Sequence, residues 1–177
     1  LIENAVAARA RMVAGRMRNP SVAKDILQIS QNCAELLRGR RIPAVVAHGD
    51  LRAKHCLILE DGTLTSMLDW GTAREPNLPL FDLIHFIIHD QKQQFGQTLD
   101  AVATRALHPR AFAGHEERAI RRYCELLQID DSVRRACELY YPIEVAATAF
   151  LNWDYDRPHW VEVNFSETIR RAAQYQY

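Results

Sequence analysis

Glycine is scarce and scattered. The chain holds seven, and each stands alone. No G-x-G-x-x-G loop is therefore present to cover a phosphate chain. Cysteine is scarcer still, and Cys33, Cys56, Cys124 and Cys137 show no C-x-x-C spacing. That excludes the usual zinc and dithiol signatures. Three of the four fall in apolar helical or strand patterns, so they are expected as reduced core residues of a cytoplasmic protein. No apolar run approaches the length of a membrane span, and no segment reads as a signal peptide. Neither sign of charge prevails, since Lys+Arg and Asp+Glu both number 22. A zero net charge argues against a nucleic acid or a membrane surface as partner. The cluster Arg38-Gly39-Arg40-Arg41 reads as a solvated helix end.

What is present suffices for one domain with a real core, taken as residues 1–177. Apolar residues make up 48% of the 177, an ordinary share for a globular protein. Repeats and low-complexity segments are lacking, and no shift in composition marks a boundary. Residues 1–18 read as helix. Asn19 is a plausible N-cap and Pro20 the first residue of a second helix. Val22, Ile26, Ile29, Cys33, Leu36 and Leu37 then recur at steps of three and four, as one buried face requires. Gly39 ends that helix. Further helices are expected over residues 80–90, 97–107, 116–128, 132–152 and 165–176, with the polar stretch DQKQQFGQ as a loop after the first of these. Asp130-Asp131-Ser132 supplies an N-cap, and Pro142 is expected to kink or divide the helix that follows. In EERAIRRYCELL, Glu–Arg pairs at helical spacing suggest a solvated face.

A different period governs AVVAHGDLRAKHCLILEDGTLTSMLDW. An apolar strand, Ala44–Ala47, stops at His48, Gly49 and Asp50. Two short β-prone runs then flank Asp61-Gly62, a strong hairpin signal. Folding at that turn sets residues near 54–56 opposite residues near 67–69. Asp50 and Asp69, far apart in sequence, come to the same end of one hairpin. Two converging carboxylates suit phosphoryl transfer, in which one orients or deprotonates a hydroxyl and the other holds a divalent cation. As an isolated pair they would more often be a turn cap and a surface residue.

The surrounding pattern adds weight. HGDLRAKHCLILEDGTLTSMLDWGTAREPNLPLFDL resembles the aminoglycoside phosphotransferase and choline kinase superfamily, which belongs to the protein-kinase-like fold. That family carries His-Gly-Asp, an Asn five residues after the Asp, a hairpin, Ile/Leu-Asp-Trp/Phe, and a later Pro-x-x-Asp-Leu. The likeness is close over residues 48–83. It implies an α+β, predominantly helical C-terminal lobe with a small β-hairpin carrying the catalytic loop. It implies that Asp50 is the catalytic base and that Asp69 binds metal. It implies that His48 braces the loop, that Asp82 begins a helix and ties the loop down, and that Trp70 and Leu83 pack. ATP and Mg²⁺ are the implied cofactors, and a small-molecule hydroxyl compound the implied acceptor. Sugars, aminoglycosides, choline and amino alcohols all fit that description.

One position departs from the pattern. The second metal ligand of the family, an Asn, is His55 here. Imidazole favours softer ions than Mg²⁺, so Mn²⁺ becomes an alternative, as does a catalytically degenerate, pseudokinase-like binding or regulatory domain. No β-rich segment precedes the hairpin, and the chain opens at Leu1 inside a helical pattern. It is therefore expected to be part of a longer polypeptide whose N-terminal nucleotide lobe is its partner, and to be inactive alone. Two other groups carry weaker signals. Asp82, His85 and His89 lie on one helical face, as a metal site or, more simply, as core histidines. Asp154 and Asp156, in NWDYDRPHW, could bind a cationic substrate, or the aromatics around them could anchor a loop.

Overall fold

The computed structural model describes residues 2–108, 111–112, 114–152 and 156–175, with side chains from Val6 onward. Helix α1 (Ile2–Ala14) ends sooner than the sequence suggests, and α2 (Pro20–Leu37) begins where its capping signal predicts. The Asn19 side chain accepts the Ser21 amide at 2.9 Å, which satisfies one of the donors that a helix start leaves open. Val22, Ile26, Ile29, Cys33 and Leu37 form the buried face of α2, and Leu36 lies at its margin.

After α2 come β1 (Val45–Ala47), β2 (Cys56–Ile58), β3 (Leu64–Met67) and β4 (Arg74–Asn77). They make two separate antiparallel pairs. β2 and β3 form the expected hairpin, with Cys56 opposite Met67 and Leu57 opposite Ser66. Its turn is closed by the Thr63 amide donating to Asp61 Oδ1 at 2.8 Å, and Gly62 takes a φ of 85° there. β1 pairs instead with β4, with Ala47 opposite Arg74. No sequence signal marks β4, because Arg-Glu-Pro-Asn is poor strand material. It is held from outside. Arg9 of α1 donates to Asn77 Oδ1 at 3.0 Å and to the Pro76 carbonyl at 2.9 Å.

Helix α3 (Phe81–Phe95) runs through most of the polar stretch expected to be a loop. Gln and Lys are good helix formers without being apolar, so periodicity gives no warning. The stop is Gly96, with a φ of 60°, as left-handed C-caps require. Helices α4 (Leu99–Ala106) and α5 (His115–Leu127) fall close to expectation. Helix α6 (Asp131–Asn152) begins at its predicted cap, where Asp130 Oδ1 accepts the Val133 amide at 2.9 Å. Pro142 does not divide α6. The helix is buried on every side from Leu139 to Phe150, and packing of this kind offsets the roughly 3 kcal/mol that an interior proline costs. Helix α7 (Arg157–Ala173) starts well before residue 165, capped by Asp156, whose side chain accepts the His159 amide. The element thus claims the end of the aromatic segment read as a loop.

The core lies where α6 meets α1, α2 and α7, with α3 and α4 along one flank. Glu144 of α6 is buried within it, and its charge is met by Arg9 at 3.2 Å and by Arg74 of β4 at 2.7 Å. Cys33 and Cys137 are buried, Cys56 and Cys124 half-buried, and all four are free. Burial pushes the Cys33, Cys124 and Cys137 thiols upward and keeps them protonated. Among the described residues no helix is long and apolar enough to cross a membrane.

Candidate active site

The site begins where β1 ends. His48, Gly49 and Asp50 follow in a loop whose path only glycine can take. Gly49 has a φ of 88°, and a Cβ placed on it would lie 2.5 Å from the Thr72 carbonyl oxygen. The Thr72 hydroxyl in turn donates to the His48 carbonyl at 2.8 Å. Asp82, in the first turn of α3, grips the same loop from below. Its Oδ2 accepts the His48 amide at 2.7 Å and its Oδ1 the Gly49 amide at 3.0 Å. Charge-assisted bonds to backbone amides are among the stronger ones available.

His48 is buried, and both its ring nitrogens are used. Nε2 lies 2.7 Å from the Leu68 carbonyl, and Nδ1 accepts the Asp50 amide at 3.4 Å. A carbonyl can only accept, so the ring is a neutral Nε2–H tautomer. It stacks on His55 with centroids 5.7 Å apart and packs against Trp70 at 4.9 Å. Trp70 nevertheless keeps 45% of its surface exposed. Leu83 is partly buried against the core.

His55 is 5% exposed, and its Nδ1 lies 2.8 Å from the Asp50 carbonyl. The same reasoning makes Nδ1 the protonated nitrogen. Nε2 faces Asp69, whose Oδ2 is 3.5 Å away. The hairpin base creates this proximity, because the Leu68 amide donates to the His55 carbonyl at 2.8 Å. Asp69 itself adopts a left-handed backbone, with φ 65° and ψ 54°. A side-chain-bearing residue takes that conformation at a cost of about 1–2 kcal/mol, and such outliers gather at functional sites. The structure therefore brings Asp50, His55 and Asp69 into one series. The His55 ring stands between the Asp50 main chain and the Asp69 carboxylate.

The Asp50 carboxylate faces the other way, toward α3. Its Oδ1 lies 3.1 Å from His85 Nε2, and its Oδ2 pairs with Arg52 Nη2. His85 is buried, and its Nδ1 lies 3.2 Å from the Tyr141 hydroxyl of α6. Burial drives the imidazole toward its neutral form, against the pull of Asp50. Nε2–H then donates to Asp50 while Nδ1 accepts from Tyr141. Burial would by itself raise the Asp50 pKa. The hydrogen bonds from His85 and Arg52 outweigh it and hold the group at about 2. Asp50 is thus ionised at any physiological pH. Two donors leave room on its lone pairs for a substrate hydroxyl.

Arg52 and Tyr141 carry no sequence signal of their own. Arg52 reaches Asp50 across two residues of a loop that no regular element covers. Tyr141 arrives from α6 across the core. His85 and His89 are ring neighbours at 4.3 Å, but Asp82 faces the loop amides instead. Among the described residues no group of three or more His, Cys, Asp or Glu side chains converges as a metal site. Asp156 is engaged in capping α7 and in an ion pair with Arg18 at 2.9 Å. Asp154 lies outside the described residues.

Residues 3–123 match the phosphotransferase enzyme family. The chain belongs to that family. The matched span takes in Gly49, Asp50, His55, Asp69, Asp82 and His85, so every element of the site except Tyr141 lies within the phosphotransferase match. No curated protein and no solved structure matches the chain.

Two buried histidines give the site a pH signature. His85 is shifted down by burial, and His89 is held at about 3 by burial and by the neighbouring His85. Both titrate near 6.5 in an unfolded chain. Between pH 6.5 and about 3 the unfolded state therefore binds more protons, and stability falls as pH falls. The expected loss approaches 1.4 kcal/mol per pH unit for His89, and His85 adds to it in the same direction. Urea midpoints taken from pH 7 to pH 4.5 should drop steadily, and His89→Gln should shallow the slope. A flat profile over that range would contradict neutral burial of the pair.

Proposed function

We propose that this chain is the catalytic and acceptor-binding lobe of an ATP-dependent kinase of the protein-kinase-like fold, which transfers the γ-phosphoryl group to a hydroxyl of a small molecule. The observation that carries the reading is the series Asp50–His55–Asp69, with Nε2 of His55 facing the Asp69 carboxylate at 3.5 Å. Asp50 receives and orients the acceptor hydroxyl. His85, itself oriented by Tyr141, fixes the direction of that carboxylate, and Arg52 balances its charge. A loose phosphoryl-transfer transition state leaves the hydroxyl proton in place until late, so a carboxylate of low basicity suffices.

His55 and Asp69 fit a divalent cation. One imidazole nitrogen and one carboxylate are an incomplete shell, and kinase metals are usually held by one or two protein groups plus phosphate oxygens. Such a cation supplies charge neutralisation on the transferring phosphates. The nitrogen donor moves the preference from Mg²⁺ toward Mn²⁺. The carbonyl of Asp50, by accepting Nδ1–H, orients the His55 ring as carbonyls commonly do behind metal-bound histidines.

A second lobe carrying the nucleotide is the proposed partner. Val46 of β1, Leu57, Ile58, Leu59, Leu64 and Leu68 of the hairpin region, and Trp70 are all largely exposed. An apolar patch of this kind marks an interaction surface. The alternative is a binding domain without turnover. It is favoured by His55 in place of the family's Asn and by both Asp50 carboxylate oxygens being engaged.

The test is turnover by the full-length protein with each metal, for the native residue and for His55→Asn. The ratio of Mn²⁺- to Mg²⁺-supported rates should fall by about tenfold in the variant. If no nucleotide binds with either metal and His55→Asn restores nothing, the binding-domain reading takes its place.

A further inference from the structure

The kinase reading leaves the chemical class of the acceptor open, and a cavity beside Asp50 speaks to it. The cavity measures about 190 Å³ and is lined by Arg52, Ala53, Lys54, His89, Asp90 and Gln93. Arg52 links it to the site, since this side chain holds the Asp50 carboxylate. Neither of the metal candidates, His55 and Asp69, contributes to its walls. The donor phosphates belong beside those two residues, so the cavity lies on the acceptor's side of Asp50.

Its lining is polar and holds two cations, one of which, Arg52, is already paired with Asp50. Arg52 and Lys54 are cationic, Asp90 is anionic, and His89 is neutral because its pKa is depressed. Lys54 forms no ion pair within the described residues and stands exposed at the rim. A planar or tetrahedral oxyanion suits a guanidinium and an ammonium group lining one cavity. The cavity is smaller than the roughly 300–1,000 Å³ of drug-sized sites, which suits a compact head group. The acidic residue read as a receptor for cations, Asp156, is meanwhile committed to Arg18 and to its helix cap.

We infer that the acceptor is an anionic alcohol, whose phosphate or carboxylate sits between Lys54 and Arg52 while its hydroxyl meets Asp50. The inference rests on the kinase reading for the word acceptor, but the anion site can be tested by itself. The probe is inorganic phosphate, titrated calorimetrically into full-length native protein, Lys54→Gln and Lys54→Glu, without metal. Each titration is repeated with a non-hydrolysable ATP analogue and Mn²⁺ already bound. Saturable binding should weaken in the order native, Gln, Glu, with Glu at least about fivefold weaker. It should survive prior nucleotide binding. Lys54 is exposed, and matching thermal melts confirm that the variants fold.

Phosphate affinity that ignores both substitutions overturns the inference. So does the absence of saturable binding, or displacement by the nucleotide, which would place the phosphate in the donor's seat. Nucleotide binding that persists through those results leaves the kinase reading standing. If nucleotide fails to bind at all, the kinase reading falls, and the comparison of variants still decides whether the cavity is an anion site.

Discussion

On the proposed kinase reading, replacing Asp50 by Asn should lower turnover by about 10²–10⁴-fold, the usual share of a positioned acid–base group. Nucleotide affinity should change little, since the metal candidates His55 and Asp69 are untouched. The effect has two sources. An amide cannot accept the hydroxyl proton as transfer completes. It also turns an NH₂ toward one of two existing donors, His85 or Arg52, and so loses the orientation that both impose. Because the Asp50 pKa is held at about 2 by those bonds, loss of its charge does not limit the native rate between pH 5 and 8, so any pH dependence there must come from other groups. Turnover in Asp50→Asn within about threefold of native would remove Asp50 from the chemistry.

The second large effect concerns stability. Gly49→Ala should cost about 2–4 kcal/mol, more than most single substitutions. Two penalties add. The φ of 88° is outside what an L-residue adopts with ease, and the new Cβ would press on the Thr72 carbonyl at 2.5 Å. The obstacle is backbone, not the end of a flexible side chain. Relief requires the loop to leave Asp82 or Thr72 to leave His48, and either breaks a bond described above. The midpoint of chemical denaturation reports the loss. A shift below about 0.5 kcal/mol, the scale of a neutral surface change, would show that the loop path is not so constrained.

Much of the site could be read before folding, because it is local. Asp61-Gly62 is turn chemistry, and turn chemistry fixes register. Once Cys56 faces Met67, His55 and Asp69 must be neighbours. The clamp by Asp82 was legible only through family resemblance, since no periodicity connects residue 82 to residues 48 and 49. What escaped was tertiary. β4 exists because β1 pairs with it and Arg9 holds it. The last turns of α3 lack an apolar face and are helical by propensity until Gly96. The start of α7 hides behind a proline and aromatics that resemble a loop. His85 appeared as a core histidine or a ligand, and it is a core histidine whose one outward bond reaches Asp50. That assignment depends on Tyr141, which the sequence places far away.

Helix α3 has a mechanical consequence. It presents Asp82 to the loop amides and, one turn later, His85 to the Asp50 carboxylate. The backbone and the side chain of Asp50 are therefore referred to a single buried rod. His55 and Asp69 stand instead at the base of a two-stranded ribbon with most of its surface in solvent, tied to the loop by the Asp50 carbonyl and by His48. The two halves differ in compliance. A thermal fluctuation of the ribbon displaces His55 and Asp69 while Asp50 holds still, so the ribbon is the half that the proposed second lobe would tune.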